Sequence, residues 1–293
     1  MKTTVPLFVC FAVLFCLTGE TNARAISKGV DLNSYFVDVL TYDRPEHPGK
    51  TFVEVFVGFP LPQLKFANAG STYRARYQLA VSFQNEKKEV IQTAMFVDSI
   101  DAESLVENPS LNLQQLRYPF YVNPGSYSME CKLTDLNTAS GYHFSVNATI
   151  PDYNVPSLKV SDLQVSHSMT RSQEASSLVK NNWRVEPNVL RTFSAEDQHL
   201  NIYAEVYHLD FRQDRANRGF IAVYFIQDEN GRDVFSTEQV NQKPGAASVI
   251  TARLPIDELE SGAYKLILKV RDLDTGDRVE KSTSFWISNP LAL

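Results

Sequence analysis

Residues Gly125 to Thr138 read Gly-Ser-Tyr-Ser-Met-Glu-Cys-Lys-Leu-Thr-Asp-Leu-Asn-Thr, and Gly262 to Thr275 read Gly-Ala-Tyr-Lys-Leu-Ile-Leu-Lys-Val-Arg-Asp-Leu-Asp-Thr. Gly, Tyr, Lys, Asp, Leu and Thr coincide at one constant offset, and the apolar alternation coincides with them. Self-similarity of this kind marks one structural unit used twice. Upstream, Phe83-Gln84-Asn85-Glu86 resembles Ile226-Gln227-Asp228-Glu229, each entering a polar turn before Val90 and Val234. The chain therefore has to accommodate two copies of one domain, each of roughly 125 residues, an ordinary domain size.

The repeated unit is β. Tyr73, Ala75, Tyr77, Leu79, Val81 and Phe83 alternate with Arg74, Arg76, Gln78, Ala80, Ser82 and Gln84. Val53, Val55, Val57 and Phe59 alternate in the same way with Phe52, Glu54, Phe56 and Gly58. A period of two sends one face to a core and the other to water. Helical turns are expected only near Asp101 to Leu105 and Ile256 to Leu259. Many strands with turn signals at short spacing predict an all-β chain, read as two tandem immunoglobulin-like β-sandwich domains. In the repeated Gly-x-Tyr, glycine permits a positive φ at the strand entry. The tyrosine is expected to return its hydroxyl to nearby backbone, as in a tyrosine corner. Two prolines in Pro151 to Pro156 make a stiff connector. The expected domains are 26–150 and 158–293, joined by 151–157.

Lys2, the apolar run Val5 to Leu17 and the small-x-small triplet Ala23-Arg24-Ala25 have the order of a secretory signal peptide cleaved after Ala25. The expected location is the periplasm, the cell surface or the extracellular space. The run is too short to span a bilayer as a helix, so no transmembrane segment is expected in the mature chain. Phe15 stands before Cys16 where a lipid-attachment box wants a small residue, which disfavours lipidation there. Cleavage also removes Cys10 and leaves Cys131 without an intramolecular partner.

Lysine plus arginine number 28 against 34 acids, which excludes nucleic-acid binding through a basic surface. No nucleophile elbow, phosphate loop or dinucleotide fingerprint occurs, so no cofactor is expected. Cys131 falls opposite Leu268 in the repeat, a slot for a buried hydrophobe rather than a nucleophile. His47, His143, His167, His199 and His208 have no zinc spacing. Asp272, Asp274 and Asp277 crowd one turn and form a weak calcium candidate, against the alternative of solvated turn acids. Tyr118, Tyr121, Tyr127, Tyr203, Tyr207 and Tyr224 read as sheet packing or as an aromatic platform.

The polar stretch His167 to Asn182 reads as a long loop that a ligand could use and that could be removed without loss of stability. Ile26, Val30 and Leu32 lie ahead of the first strand and suit a donor strand for the sheet edge of another copy. The reading is a non-catalytic structural or protein-interaction module, self-assembling through strand edges. The alternative is a glycan- or ligand-binding protein using the 167–182 loop and surface tyrosines, with an enzyme third.

Phe36-Val37-Asp38-Val39, Thr51 to Val57, Leu64-Lys65-Phe66 and the Tyr73 strand resemble the N-terminal β region of bacterial GWxTD-domain proteins. Pro124 to Tyr127, Ser161-Asp162-Leu163, Glu186-Pro187-Asn188, Phe193 and Tyr203 to Tyr207 are similar to its continuation. The resemblance covers nearly all of the mature chain. The Gly-Trp-x-Thr-Asp motif itself is absent, and Phe285-Trp286-Ile287-Ser288 stands in the last expected strand. The resemblance implies a bacterial exported protein with paired immunoglobulin-like sandwiches, and it transfers no site residues.

Overall fold

A computed structural model describes residues 35–103, 113–194, 196–214, 216 and 218–288. These residues are all-β, with one turn of 3-10 helix at Leu61–Gln63 and no α-helix among them. Of the expected helical turns, Ile256 to Leu259 is a turn closed by Leu259 N to Ile256 O at 3.1 Å. Asp101 and Ala102 instead finish a strand.

The first eight strands are β1 (Phe36–Tyr42), β2 (Thr51–Pro60), β3 (Ala67–Asn68), β4 (Tyr73–Gln84), β5 (Val90–Ala102), β6 (Leu113–Val122), β7 (Gly125–Asp135) and β8 (Gly141–Ile150). They form one sheet of order β1-β2-β6 and another of order β8-β7-β4-β5, with β3 also on β4. The next six are short: β9 (Lys159–Val160), β10 (Gln164–Ser166), β11 (Met169–Arg171), β12 (Val179–Lys180), β13 (Trp183–Val185) and β14 (Thr192–Phe193). The last six are β15 (His199–Tyr207), β16 (Phe220–Gln227), β17 (Asp233–Asn241), β18 (Ala247–Pro255), β19 (Gly262–Asp272) and β20 (Arg278–Ile287).

The strand orders repeat. β8-β7-β4-β5 returns as β20-β19-β16-β17, and β1-β2-β6 returns as β10-β15-β18. Register agrees as well: Val81 faces Cys131 and Phe83 faces Met129, as Tyr224 faces Leu268 and Ile226 faces Leu266. The alternation seen in the sequence fills two separate cores. Val55, Leu79, Phe83 and Cys131 belong to one, and Ile202, Val206, Leu268 and Phe285 belong to the other.

The corner geometry also occurs twice. Tyr127 donates its hydroxyl to Asn123 O at 3.0 Å, and Tyr264 donates to Glu260 O at 2.8 Å. Gly125 has φ +153°, and a Cβ there would only touch the Tyr127 ring, at 3.4 Å. Gly262 has no left-handed φ, so the positive-φ expectation holds for the first copy alone.

One expectation of the alternation fails. All ten residues of β2 are buried, and β15 is buried along eight of its nine. Phe52, Glu54 and Phe56 do not face water, because the second half of the chain covers them. Leu40, Tyr42, Phe52 and Phe56 pack with Val185, Val189 and Tyr203 in a third apolar cluster. A period of two reports that a strand has two faces, but not what lies over the second.

Candidate functional site

The strands β2 and β15 hold corresponding places in the two halves, and both read aromatic-x-Glu-x-aromatic: Phe52 to Phe56 and Tyr203 to Tyr207. Their outer faces meet at a seam, so two glutamates are buried there. Each is closed by a cation from the opposite half. Lys180, at the end of β12, reaches Glu54 and also meets the Tyr42 hydroxyl at 3.0 Å. Arg117 on β6 supports the same carboxylate through Nε at 2.8 Å. Arg44 pairs with Glu205 at 3.0 Å, and the Tyr203 and Tyr207 hydroxyls donate to that carboxylate at 2.7 and 2.9 Å.

A third cross-seam pair joins Arg191 to Asp38, with Nε to Oδ2 at 3.1 Å, and the same guanidinium donates to the Thr283 hydroxyl. Asp162 accepts the Thr41 backbone N–H at 2.8 Å and is paired with Lys281 at 2.6 Å. Burial pushes the Glu54 carboxyl up, but Lys180 and Arg117 outweigh it and hold it below the ordinary carboxylate value. Burial likewise opposes the Arg44 charge, and Glu205 beside it raises the guanidinium above its usual value. The charged groups of the seam are spent on one another. Its chemistry is that of a clamp.

Lys180 also revises the reading of the 167–182 stretch. β11, β13 and β12 form a small antiparallel sheet whose tip carries Lys180 and Asn181 into the seam. Asn181 Nδ2 donates to the Tyr203 hydroxyl at 2.7 Å and to Glu205 at 3.1 Å. Two polar residues of the stretch read as a free loop, Lys180 and Asn181, are thus partners for buried groups. Tyr118, Tyr203, Tyr207 and Tyr224 are buried, so they offer no surface platform.

The acidic turn is likewise filled from within. Lys243 Nζ lies 2.5 Å from Asp272 Oδ1, 2.6 Å from Asp274 Oδ2 and 3.0 Å from Asp210 O. Asp277 is exposed at the far end of the turn, where its carbonyl accepts Asp272 N at 3.0 Å. The place a calcium ion would take between Asp272 and Asp274 holds an ammonium. Among the described residues no three His, Cys, Asp or Glu side chains are grouped to hold a metal. Cys131 is fully buried, and burial, with Glu130 adding to it, pushes its thiol up to about 12. Ala25, Ile26, Val30 and Leu32, with Cys10 and Cys16, lie outside the described residues. No helix of the described residues is long and apolar enough to cross a membrane.

A different feature sits on the surface. Val90, Ile91, Met95 and Val97 are 57%, 47%, 65% and 59% exposed, and all four lie on β5. That is four of the seven exposed large hydrophobics among the described residues, on one strand. Among the described residues β5 is a sheet edge whose only ladder is with β4. Its inward side chains Ala94, Phe96 and Ile100 pack on the first core, and Phe96 lies 4.0 Å from the Tyr118 ring centroid. The edge is anchored while its outward row is bare. Sequence reading missed this row, although Ile91-x-x-x-Met95-x-Val97 stands in plain view, because either face of an isolated strand can be the core face.

No family model matches the chain, and no curated protein matches it.

Proposed function

We propose that this chain is a non-catalytic exported module that works by protein–protein contact, built from two tandem immunoglobulin-like sandwiches that follow a cleaved signal peptide. The duplicated strand orders and the two tyrosine hydroxyls returned to backbone four residues upstream support the sandwich reading. The domain limits proposed are 26–150 and 158–293. The resemblance to the β region of bacterial GWxTD-domain proteins agrees with a cell-envelope or extracellular setting.

The observation that carries the reading is the row on β5. Soluble surfaces seldom gather their exposed apolar side chains on one unpaired edge, and such an edge offers both backbone hydrogen bonds and apolar area to a partner strand. The seam supplies the complementary property, since it holds the two halves rigidly while β5 is presented. The test is native sizing of the exported chain from its own cells, beside a Val97→Lys variant. The expected result is a mature chain beginning at Ile26 that runs in a complex larger than itself, and a variant that runs free. A parent chain that already runs free in native extracts overturns the reading.

A further inference from the structure

We propose that Met95 is an oxidation site: hydrogen peroxide converts its thioether to the sulfoxide in the free chain, and the sulfoxide keeps β5 from its partner. The second part rests on the interaction reading above and names a regulation of that same edge.

Exposure makes the site selective. Of the four methionines, Met1 lies outside the described residues. Met129 is fully buried in the first core, and Met169 is half-buried against the apolar cluster of the seam. Met95 is 65% exposed. Cys131, the described thiol, is fully buried. A thioether has no proton to lose, so access decides which one reacts. In the step the sulfur lone pair attacks one peroxide oxygen. A sulfur–oxygen bond forms, the oxygen–oxygen bond breaks, and the sulfur gives up two electrons. The second oxygen leaves as hydroxide and takes the proton of the first to become water.

The fold tolerates the product. Met95 pairs with Ala80 on β4, next to Val81. In the second half Tyr224 corresponds to Val81, so the place of Met95 is that of Glu238, which pairs with Val223. Glu238 is exposed there. Since a full charge stands at the equivalent position, a sulfoxide dipole changes the surface of β5 and not its folding.

A partner contact does not tolerate it. Met95 lies between Ile91 and Val97 in the exposed row, and Val90 to Val97 carries no charge. Closing a contact over the sulfoxide strips its oxygen of water, and burying an unbonded polar group opposes association. A partner once seated would shield the sulfur, so the reaction acts on the chain before association.

The experiment treats the purified, folded full chain with hydrogen peroxide and locates the sulfoxide by peptide mass. The treated chain is then sized in an extract of its own cells from which it has been deleted. Sulfoxide should appear at Met95 well before Met129 or Met169, with the melting temperature unchanged. The reduced parent should enter the larger complex, and the oxidised parent should bind at least about tenfold more weakly, or ~1.4 kcal/mol. Met95→Leu should enter equally before and after peroxide. Met95→Gln should behave as the oxidised parent without any peroxide. Sulfoxide at Met129 or Met169 that keeps pace with Met95 overturns the site. An oxidised parent that enters as readily as the reduced one, or a Met95→Leu chain that peroxide also excludes, overturns the regulation. A reduced parent that stays free overturns the interaction reading and the regulation with it, while the peptide masses still decide the site.

Discussion

At position 274 the second half carries an aspartate where the first half carries Asn137, and one lysine compensates for the exchange. The Asn137 amide donates to Lys65 O at 2.7 Å and to Arg74 O at 3.0 Å, tying the turn to the strand entry. A carboxylate cannot donate, so Lys243 brings the protons, bridging Asp210 O, Asp272 and Asp274. Burial opposes the Lys243 charge, but the bonds to the two aspartates raise its pKa above the ordinary lysine value. Lys243→Met should therefore cost about 3 kcal/mol in denaturant unfolding, since it removes the buried cation that both carboxylates face. Adding Asp274→Asn should recover part of that loss, because it restores the solution used by the first half. Millimolar calcium should leave the melting temperature of the parent unchanged, and a rise would show that the ammonium yields its place. Cys131 was legible in advance because the repeat put it in a leucine slot. Lys243 was not, because it comes from a segment outside the recognised repeat and meets the aspartates only through the fold.

Among the elements, the small sheet of β11, β13 and β12 departs most from its sequence. Its polar side chains suit a solvated loop equally well, and only the fold brings Lys180 to Glu54. Lys180→Met should cost about 3 kcal/mol, the low end for breaking a buried pair, because Arg117 still faces the carboxylate. Denaturant midpoints measure this, and an unchanged midpoint would return the segment to the status of a dispensable loop. The alternation in β4 and β7 was readable because each strand has one covered face. In β2 and β15 the same period hid a second contact, and the paired aromatic-x-Glu-x-aromatic strings were the available signal. A glutamate centred between outward aromatics does not belong on a wet surface. It calls for a cation.

For the molecule as a whole, the seam ties stability to pH through Glu54. Its folded pKa is lowered, so its contribution is complete above the unfolded carboxylate value of about 4.3. That contribution is lost as pH falls through the still lower folded value. Stability should therefore fall steeply on acidification below roughly pH 4. Glu54→Gln should be weaker at neutral pH, by about 3–5 kcal/mol, yet show a shallower acid slope. Midpoints measured across this range check both parts, and a variant with the slope of the parent would place the acid sensitivity elsewhere.

The seam has one more consequence. Corresponding strands face each other across it, and the ion pairs of Lys180 with Glu54, Arg44 with Glu205 and Arg191 with Asp38 join the halves through side chains. Tyr153 anchors the connector by bonding to Thr41, with hydroxyl oxygens 2.9 Å apart. A peptide bond cut just beyond it, after Asn154, would leave the two fragments associated. On that expectation, covalent continuity sets the local concentration of the two surfaces rather than their affinity, and co-elution of the two fragments after the cut would check it.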